Sequence, residues 1–258
     1  MAVAALAIQN VAYGYPNGTP ALRNINLTIA VGQRVAIVGA NGSGKSTLLH
    51  HLNGLLLPQA GQVQVGNWQV TPKTLRAVRD CLGLVFQNPD DQLFMPSVWE
   101  DVTFGPKNQG LSSEMQHHRA IEAMQAVGLN PEDYAHRMAH ALSGGEKKRV
   151  AIAGVLAMKP SILALDEPSA QLDPRSRRQL IHLLDRLPLT QIIATHDLDL
   201  ALDLCDRTVV LHHGEIVYDG STAAVMGDPD FLEQYALEAP LSCQRPYCLR
   251  LEGPVTNL

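Results

Sequence analysis

Apolar residues along this chain recur in two rhythms. Alternation marks LAIQNVAY (6–13) and INLTIA (25–30) as strands, with the turn-rich YPNGTPAL between them, and GQVQVG (61–66) as a shorter strand. RVAIVG (34–39), SILALD (161–166) and QIIATH (191–196) are apolar at most positions, the pattern of strands buried on both faces of a parallel sheet. LGLVFQ (82–87) is a further strand. Helices are expected from Gly44–Ser46 through TLLHHLNG, and over 112–129 with Ser112 or Ser113 as cap and Gly128 as stop. Others are expected within 142–159, ended by Lys159–Pro160, and over 176–187 and 197–205. TVVLHHGEIVYDG (208–220) reads as a hairpin turning at His213–Gly214. Residues 88–112 are rich in Pro, Asn and Asp and show no long period. After Gly220 one weak helix is expected, then LSCQRPYCLRLEGPVTNL, a tail with little order. Strands and helices thus alternate on both sides of an insert near 88–150, which predicts a mostly parallel α/β core carrying a smaller helical part.

Composition narrows this picture. With 258 residues, 46% hydrophobic and 17% charged, the chain can bury a sizeable core. A net charge of −5 and the lack of a basic block argue against a nucleic-acid partner. Cys81, Cys205, Cys243 and Cys248 form no CxxC pair and read as plain thiols, and the glycosylation-type matches at Asn17, Asn26 and Asn41 read as chance. The longest apolar run, VAIAGVLAM (150–158), is about half of what a bilayer needs. MAVAALAIQN lacks the basic start of a signal peptide. A cytoplasmic chain is expected, free to dock on a membrane protein.

Three short stretches carry chemistry. GANGSGKST (39–47) lies between an apolar strand and a helix, as a phosphate loop requires. Gly39, Gly42 and Gly44 let successive backbone N–H groups point inward, with Asn41 inside the turn. Lys45 supplies a charge for β- and γ-phosphates, Ser46 an oxygen for Mg²⁺, and Thr47 a hydrogen bond to an α- or β-phosphate. LALDEP (163–168) sets Asp166 and Glu167 after a buried strand, where ligand groups collect. Asp166 can face the metal held by Ser46, and Glu167 can take a proton from an attacking water. LSGGE (142–146) has Ser143 as cap and Glu146 as the reciprocal partner of a capping box. Gly144 and Gly145 are costly in a first turn unless bare N–H groups must meet an anion. A second anion site on a chain that already has one invites a two-chain reading. Lys147–Arg149 reads as a solvated helix face.

In this order the three motifs resemble the ATP-binding cassette ATPases, the nucleotide-hydrolysing subunits of transporters, over about residues 3–237. The resemblance implies a P-loop NTPase core with a mostly parallel sheet, a small antiparallel N-terminal sheet and an inserted helical subdomain. It implies one domain over 1–237, with a RecA-like core at about 1–87 and 151–220, the helical subdomain at about 88–150, and a short tail at 238–258. ATP and Mg²⁺ are the implied cofactors. Gln87 matches the glutamine that senses the metal and touches the membrane partner. His196 matches the switch histidine that contacts the γ-phosphate and Glu167. Asp173 matches the aspartate that crosses the dimer interface. Tyr15, with Tyr13 the alternative, resembles the aromatic that stacks on adenine. Two chains would pair head to tail, as a homodimer or with a close homologue, two ATP molecules lying between Gly39–Thr47 of one and Leu142–Glu146 of the other.

FQNPDDQLF (86–94), VWEDVTFGPKNQGLS (98–112) and GEKKRVAIAGVLAM (145–158) are similar to the energy-coupling-factor type. That likeness implies a transmembrane coupling protein, a separate substrate-capture membrane subunit, a place at the cytoplasmic face of the membrane, and uptake of cobalt, nickel or a vitamin. Another transporter class and a soluble cassette ATPase are the alternatives. Gln171 departs from the pattern, standing where small residues or glycine are common.

Overall fold

The computed structural model describes residues 4–243. β1 (Ala4–Gly14) and β2 (Pro20–Ala30) pair antiparallel, with Leu6 opposite Ile29 and Ile8 opposite Leu27. β3 (Arg34–Val38) and α1 (Lys45–Leu52) follow, then β4 (Ala60–Val65) and β5 (Trp68–Gln69) complete an antiparallel sheet ordered β2-β1-β4-β5. Next come α2 (Leu75–Cys81), β6 (Leu82–Val85) and a 3₁₀ turn at Pro89–Asp91. α3 (Val98–Asn108), α4 (Ser113–Ala126), α5 (Pro131–Tyr134) and α6 (Gly144–Leu156) form the helical part. The chain then alternates through β7 (Ile162–Asp166), α7 (Pro174–Arg186), β8 (Thr190–Thr195) and α8 (Leu198–Leu204). β9 (Arg207–His212), β10 (Glu215–Ser221), α9 (Thr222–Met226) and α10 (Pro229–Gln234) end it. The second sheet has the order β10-β9-β3-β8-β7-β6, parallel throughout except for the β9–β10 hairpin.

The strands of this second sheet send alternate residues to two cores, as a period of two demands. Val35 and Ile37 of β3, Ile162 and Ala164 of β7, and Ile192 of β8 face α1 and the antiparallel sheet. Ala36 and Val38, Leu163 and Leu165, and Ile193 face the core shared with α3, α4, α6 and α8. Burial on both faces explains why these strands read as continuous apolar runs. The register sets the site. Val38 lies opposite Thr195, Ala194 opposite Asp166, and Leu165 opposite Val85. The residues after β3, β8, β7 and β6 therefore leave the sheet side by side, at the carboxyl ends where a doubly wound sheet binds ligands.

Five expectations need correction. Residues 88–112 contain a helix, α3, that periodicity did not reveal. Its apolar face is only Val98 and Val102, and Pro106 interrupts its propensity. Tertiary contact sustains it: Ser97 caps it, and the buried Asp101 accepts from the amides of Phe94 and Met95 at 3.1 Å each. α2 went unseen because Val78 is its only buried residue. Two short helices, not one, follow Gly220. LGLVFQ ends as strand at Val85, so Phe86 and Gln87 lie beyond it. α6 runs unbroken across residue 150, where the expected boundary of the insert fell. At the start of the tail, Asp199 accepts from the amides of Leu241 at 3.0 Å and Ser242 at 3.1 Å. The rest of the tail, Cys248 included, lies outside the described residues. Among the described residues no helix is long and apolar enough to cross a membrane.

Candidate functional site

The loop after β3 wraps around a cleft of about 400 Å³. Asn41, Gly42, Gly44, Lys45, Ser46 and Thr47 line it, together with Tyr15, Gln87 and Glu167 and residues 19–21 at the start of β2. Two glycines are dictated by space. A Cβ on Gly39 would lie 2.3 Å from the Leu211 carbonyl oxygen, and one on Gly44, at φ +109°, would lie 2.6 Å from the Ala21 carbonyl oxygen. The tip of the β9–β10 hairpin braces the loop, its Gly214 amide donating to the Ser43 carbonyl at 2.9 Å. Lys45 is buried, and its Nζ donates to the carbonyls of Gly39 at 2.8 Å and Ala40 at 3.3 Å.

Glu167 is the focus of the site. Its Oε1 lies 3.6 Å from Lys45 Nζ. Its Oε2 lies 2.8 Å from His196 Nδ1 and accepts from the His196 amide and the Thr195 hydroxyl at 3.2 Å each. The residue sits at φ 44°, a left-handed conformation that non-glycine residues rarely adopt, and its amide donates to the Ala194 carbonyl at 2.8 Å. Asp166 is buried beside it, and its Oδ1 has no hydrogen-bond partner. Burial pushes the Asp166 carboxyl up from its ordinary range, the Ser46 hydroxyl opposes this, and the charge of Glu167 adds to the rise.

The residue that follows His196 is itself anchored. Asp197 takes both Nε and Nη2 of Arg177 at 2.8 and 3.0 Å, accepts from the Ser169 hydroxyl at 3.0 Å, and caps α8 through the Leu200 amide. Burial opposes the Asp197 charge, yet the Arg177 fork and these donors hold its carboxyl below the usual range. Neither Asp197 nor Arg177 was singled out by sequence; the signal available was the Asp after His196 at a helix start.

Tyr15 borders the cleft, and its hydroxyl is 2.9 Å from the Thr47 hydroxyl. Tyr13 packs edge-on against Tyr15 and against His51 and does not line the cleft. The structure thus brings together Tyr15, Gly39–Thr47, Gln87, Asp166, Glu167 and His196.

Ser143, Gly144, Gly145 and Asp173 form a separate cluster. The capping box is present: Ser143 donates its amide and hydroxyl to Glu146 Oε2 at 2.7 Å each, and accepts from the Glu146 amide at 3.3 Å. Tyr134 donates to the other oxygen at 2.7 Å. The Tyr134 hydroxyl first, then the Ser143 hydroxyl and amide, pull the Glu146 carboxyl down to about 2. A Cβ on Gly145 would meet Ser176 Oγ at 2.8 Å, and that hydroxyl donates to Asp173, the cap of α7. The signature and the Asp173 turn are therefore neighbours. Gln171, in that turn, sits at φ 62°, the conformation for which glycine is the undemanding choice.

Lys147–Arg149 is not a solvated face. Lys148 is only 2% exposed, and its Nζ donates to the carbonyls of Gln87 at 2.5 Å and Phe86 at 3.3 Å. Burial pulls its ammonium down to about 8 against the opposing pull of Asp166 and Glu167. Lys147 pairs with Asp90 at 2.7 Å.

The family profile for ABC transporters matches residues 22–170. The energy-coupling factor transporter ATP-binding protein EcfA of Methanothermobacter thermautotrophicus is 43% identical over 96% of this chain and 81% of that protein. Among solved structures, CbiO1 from Clostridium perfringens, described as part of the ABC transporter complex CbiONQ, superposes with a TM-score of 0.79 at 39% identity, covering 90% of this chain and 94% of that one. The dimeric ATP-binding cassette MJ0796, in a post-hydrolysis state bound to ADP and Pi, superposes with a TM-score of 0.74 at 31% identity, covering 84% of this chain and 98% of that one.

Proposed function

We propose, because this chain belongs to the ABC transporter ATPases and is related to their energy-coupling-factor ATP-binding subunits, that it drives import through partner membrane proteins. The observation that carries the reading is the meeting of the phosphate loop, Asp166, Glu167, His196 and Gln87 at the ends of four adjacent strands. Those are the parts that phosphoryl transfer to water needs. In this reading ATP lies along Gly39–Thr47 with its adenine on Tyr15. Lys45 turns its charge from the loop carbonyls to the β- and γ-phosphates. Mg²⁺ fits the donors present: the orphaned buried Oδ1 of Asp166, the Ser46 hydroxyl and the Gln87 amide form a hard oxygen set. Bound there, the ion would offset charge developing on the phosphate oxygens.

Glu167 takes the proton of the attacking water as its oxygen bonds to the γ-phosphorus and ADP leaves. His196 holds that carboxylate through Nδ1 and reaches the γ-phosphate through Nε2. Ser143–Gly145 stands apart from the phosphate loop of its own chain, which supports a head-to-tail pair. A second copy, or a close homologue, brings its signature and Asp173 to the ATP held by the first. That CbiO1 is part of a transporter complex supports docking on a transmembrane coupling protein at the cytoplasmic face. A capture subunit there selects the cargo, a cobalt or nickel ion in our reading.

The test is a mild-detergent pull-down of the tagged chain from its own membranes, with co-purifying proteins identified and bound metal assayed. A multispan coupling protein with a small capture subunit is the expected result. A vitamin-binding capture subunit would change the cargo. Recovery without any membrane partner would overturn the importer and favour a soluble cassette ATPase.

A further inference from the structure

Lys148 is a buried cation that the mechanism above does not use. No carboxylate pairs with it among the described residues. Taking an ammonium out of water without such a partner is costly unless other groups replace its hydration. Here the replacements are two consecutive backbone carbonyls, of Phe86 and Gln87, with the more distant charges of Asp166 and Glu167 favouring the cation. Two successive carbonyls turned to one point fix both peptide planes that flank Gln87, and with them the direction of its Cβ. Gln87 is one of the residues that line the cleft.

Two further links join the same segment to the same helix, and a third ties the segment to itself. Lys147 Nζ donates to Asp90 at 2.7 Å. Gln92 Nε2 donates to the Ala151 carbonyl at 2.9 Å, and Gln92 Oε1 accepts from the Phe86 amide at 3.2 Å. The α6 residues that make these contacts, Lys147, Lys148 and Ala151, all follow closely on Ser143.

We infer that Lys148 is a positioning residue for Gln87, fastening the segment 86–92 to the helix that begins with the signature so that the two move as one body. A partner that displaces this segment would thereby displace Ser143–Gly145 as well. The inference rests on the reading of Gln87 as a group of the ATP site.

The experiment compares the full chain with Lys148→Met, Lys148→Gln, Gln87→Ala and the double variant Lys148→Met/Gln87→Ala. Turnover, nucleotide affinity and amide hydrogen exchange over 86–92 are measured for each. Lys148→Met should lower kcat ~10–10²-fold, the scale of a catalytic group displaced by about 1 Å, while leaving affinity for ATP within about two-fold. Lys148→Gln keeps one donor and should fall between, which a loss of packing alone would not produce. The double variant should be no slower than Gln87→Ala, because both changes remove one function. Exchange at Phe86, Asp90 and Asp91 should quicken in Lys148→Met.

If the two losses multiply, or Lys148→Met turns over normally while Gln87→Ala does not, the inference is overturned. If Gln87→Ala itself turns over normally, the reading of Gln87 falls, and exchange alone then judges whether Lys148 holds the segment. Unchanged exchange would overturn that too. Should Lys148→Met fail to fold, Lys148→Gln carries the same measurements.

Discussion

At Glu167 a non-glycine backbone is held at φ 44° while its carboxylate receives a ring, an amide and a hydroxyl. Strain of this kind persists where the surroundings over-determine it, and here they aim a carboxylate at the mouth of the phosphate loop. Glu167→Gln keeps the shape and removes the base. ATP binding should survive and hydrolysis should fall ~10²–10⁴-fold, read from turnover beside equilibrium nucleotide binding. Normal turnover would remove Glu167 from its role. Lys45→Ala should instead weaken nucleotide binding itself. Glu146 gives a pH signature. Its carboxyl is drawn from 4.5 down to about 2, chiefly by the Tyr134 hydroxyl. A depressed carboxylate adds stability above its unfolded value, and that stability drains as pH falls from 4.5 toward about 2. With partial solvent screening the term is on the order of 1–2 kcal/mol. Tyr134→Phe should flatten this part of the profile, measured as chemical-denaturation midpoints between about pH 5 and 3.5.

At the scale of elements, α3 shows how weak local preference is overridden. It exposes one side, buries Val98 and Val102, and carries a proline in its third turn. What holds its start in place is Asp101, buried, with two amides of the preceding loop on one oxygen and nothing on the other. Burial pushes that carboxyl up, against the pull of the Met95 and Phe94 amides. Asp101→Ala leaves those amides unpaired and should cost ~1–3 kcal/mol in denaturant unfolding. An unchanged midpoint would mean the loop finds other partners. The periodic helices, α4 and α7, were legible because each carries a cap residue at its start and apolar positions three and four apart. α3 was not, since what holds it is its own preceding loop, the Ala135 and Arg137 carbonyls that take its first two amides, and packing against α4 and α6.

For the whole molecule, the central fact is the separation of the signature from the cleft. Gly145, in the first turn of α6, lies against Ser176, whose hydroxyl donates to Asp173, and neither Gly144 nor Gly145 lines the cavity around Lys45. In the proposed reading a second chain completes a site so divided. Lys45→Ala and Gly144→Asp chains should each be nearly inactive. Mixed together they should recover hydrolysis, since one composite site in the mixed pair is intact. No recovery, with mixed pairs shown to form, would argue against the head-to-tail arrangement.

The sequence by itself determined where the loop, the acidic pair and the signature stand, because these are residue types at short spacing, such as a lysine after Gly44 or two carboxylates after LAL. It also determined the buried strands, whose unbroken apolar runs have no other comfortable place. Only the tertiary structure decided which pieces meet. Strand register puts Gly39, Glu167, His196 and Gln87 on one edge although up to 157 positions separate them. It chose Tyr15 over Tyr13 to line the cleft, and it buried Lys148 under the Gln87 segment. A lysine in a charged run reads as solvated, and nothing local distinguishes it. Its burial follows from how α6 packs on the end of β6, a contact between residues 61 positions apart.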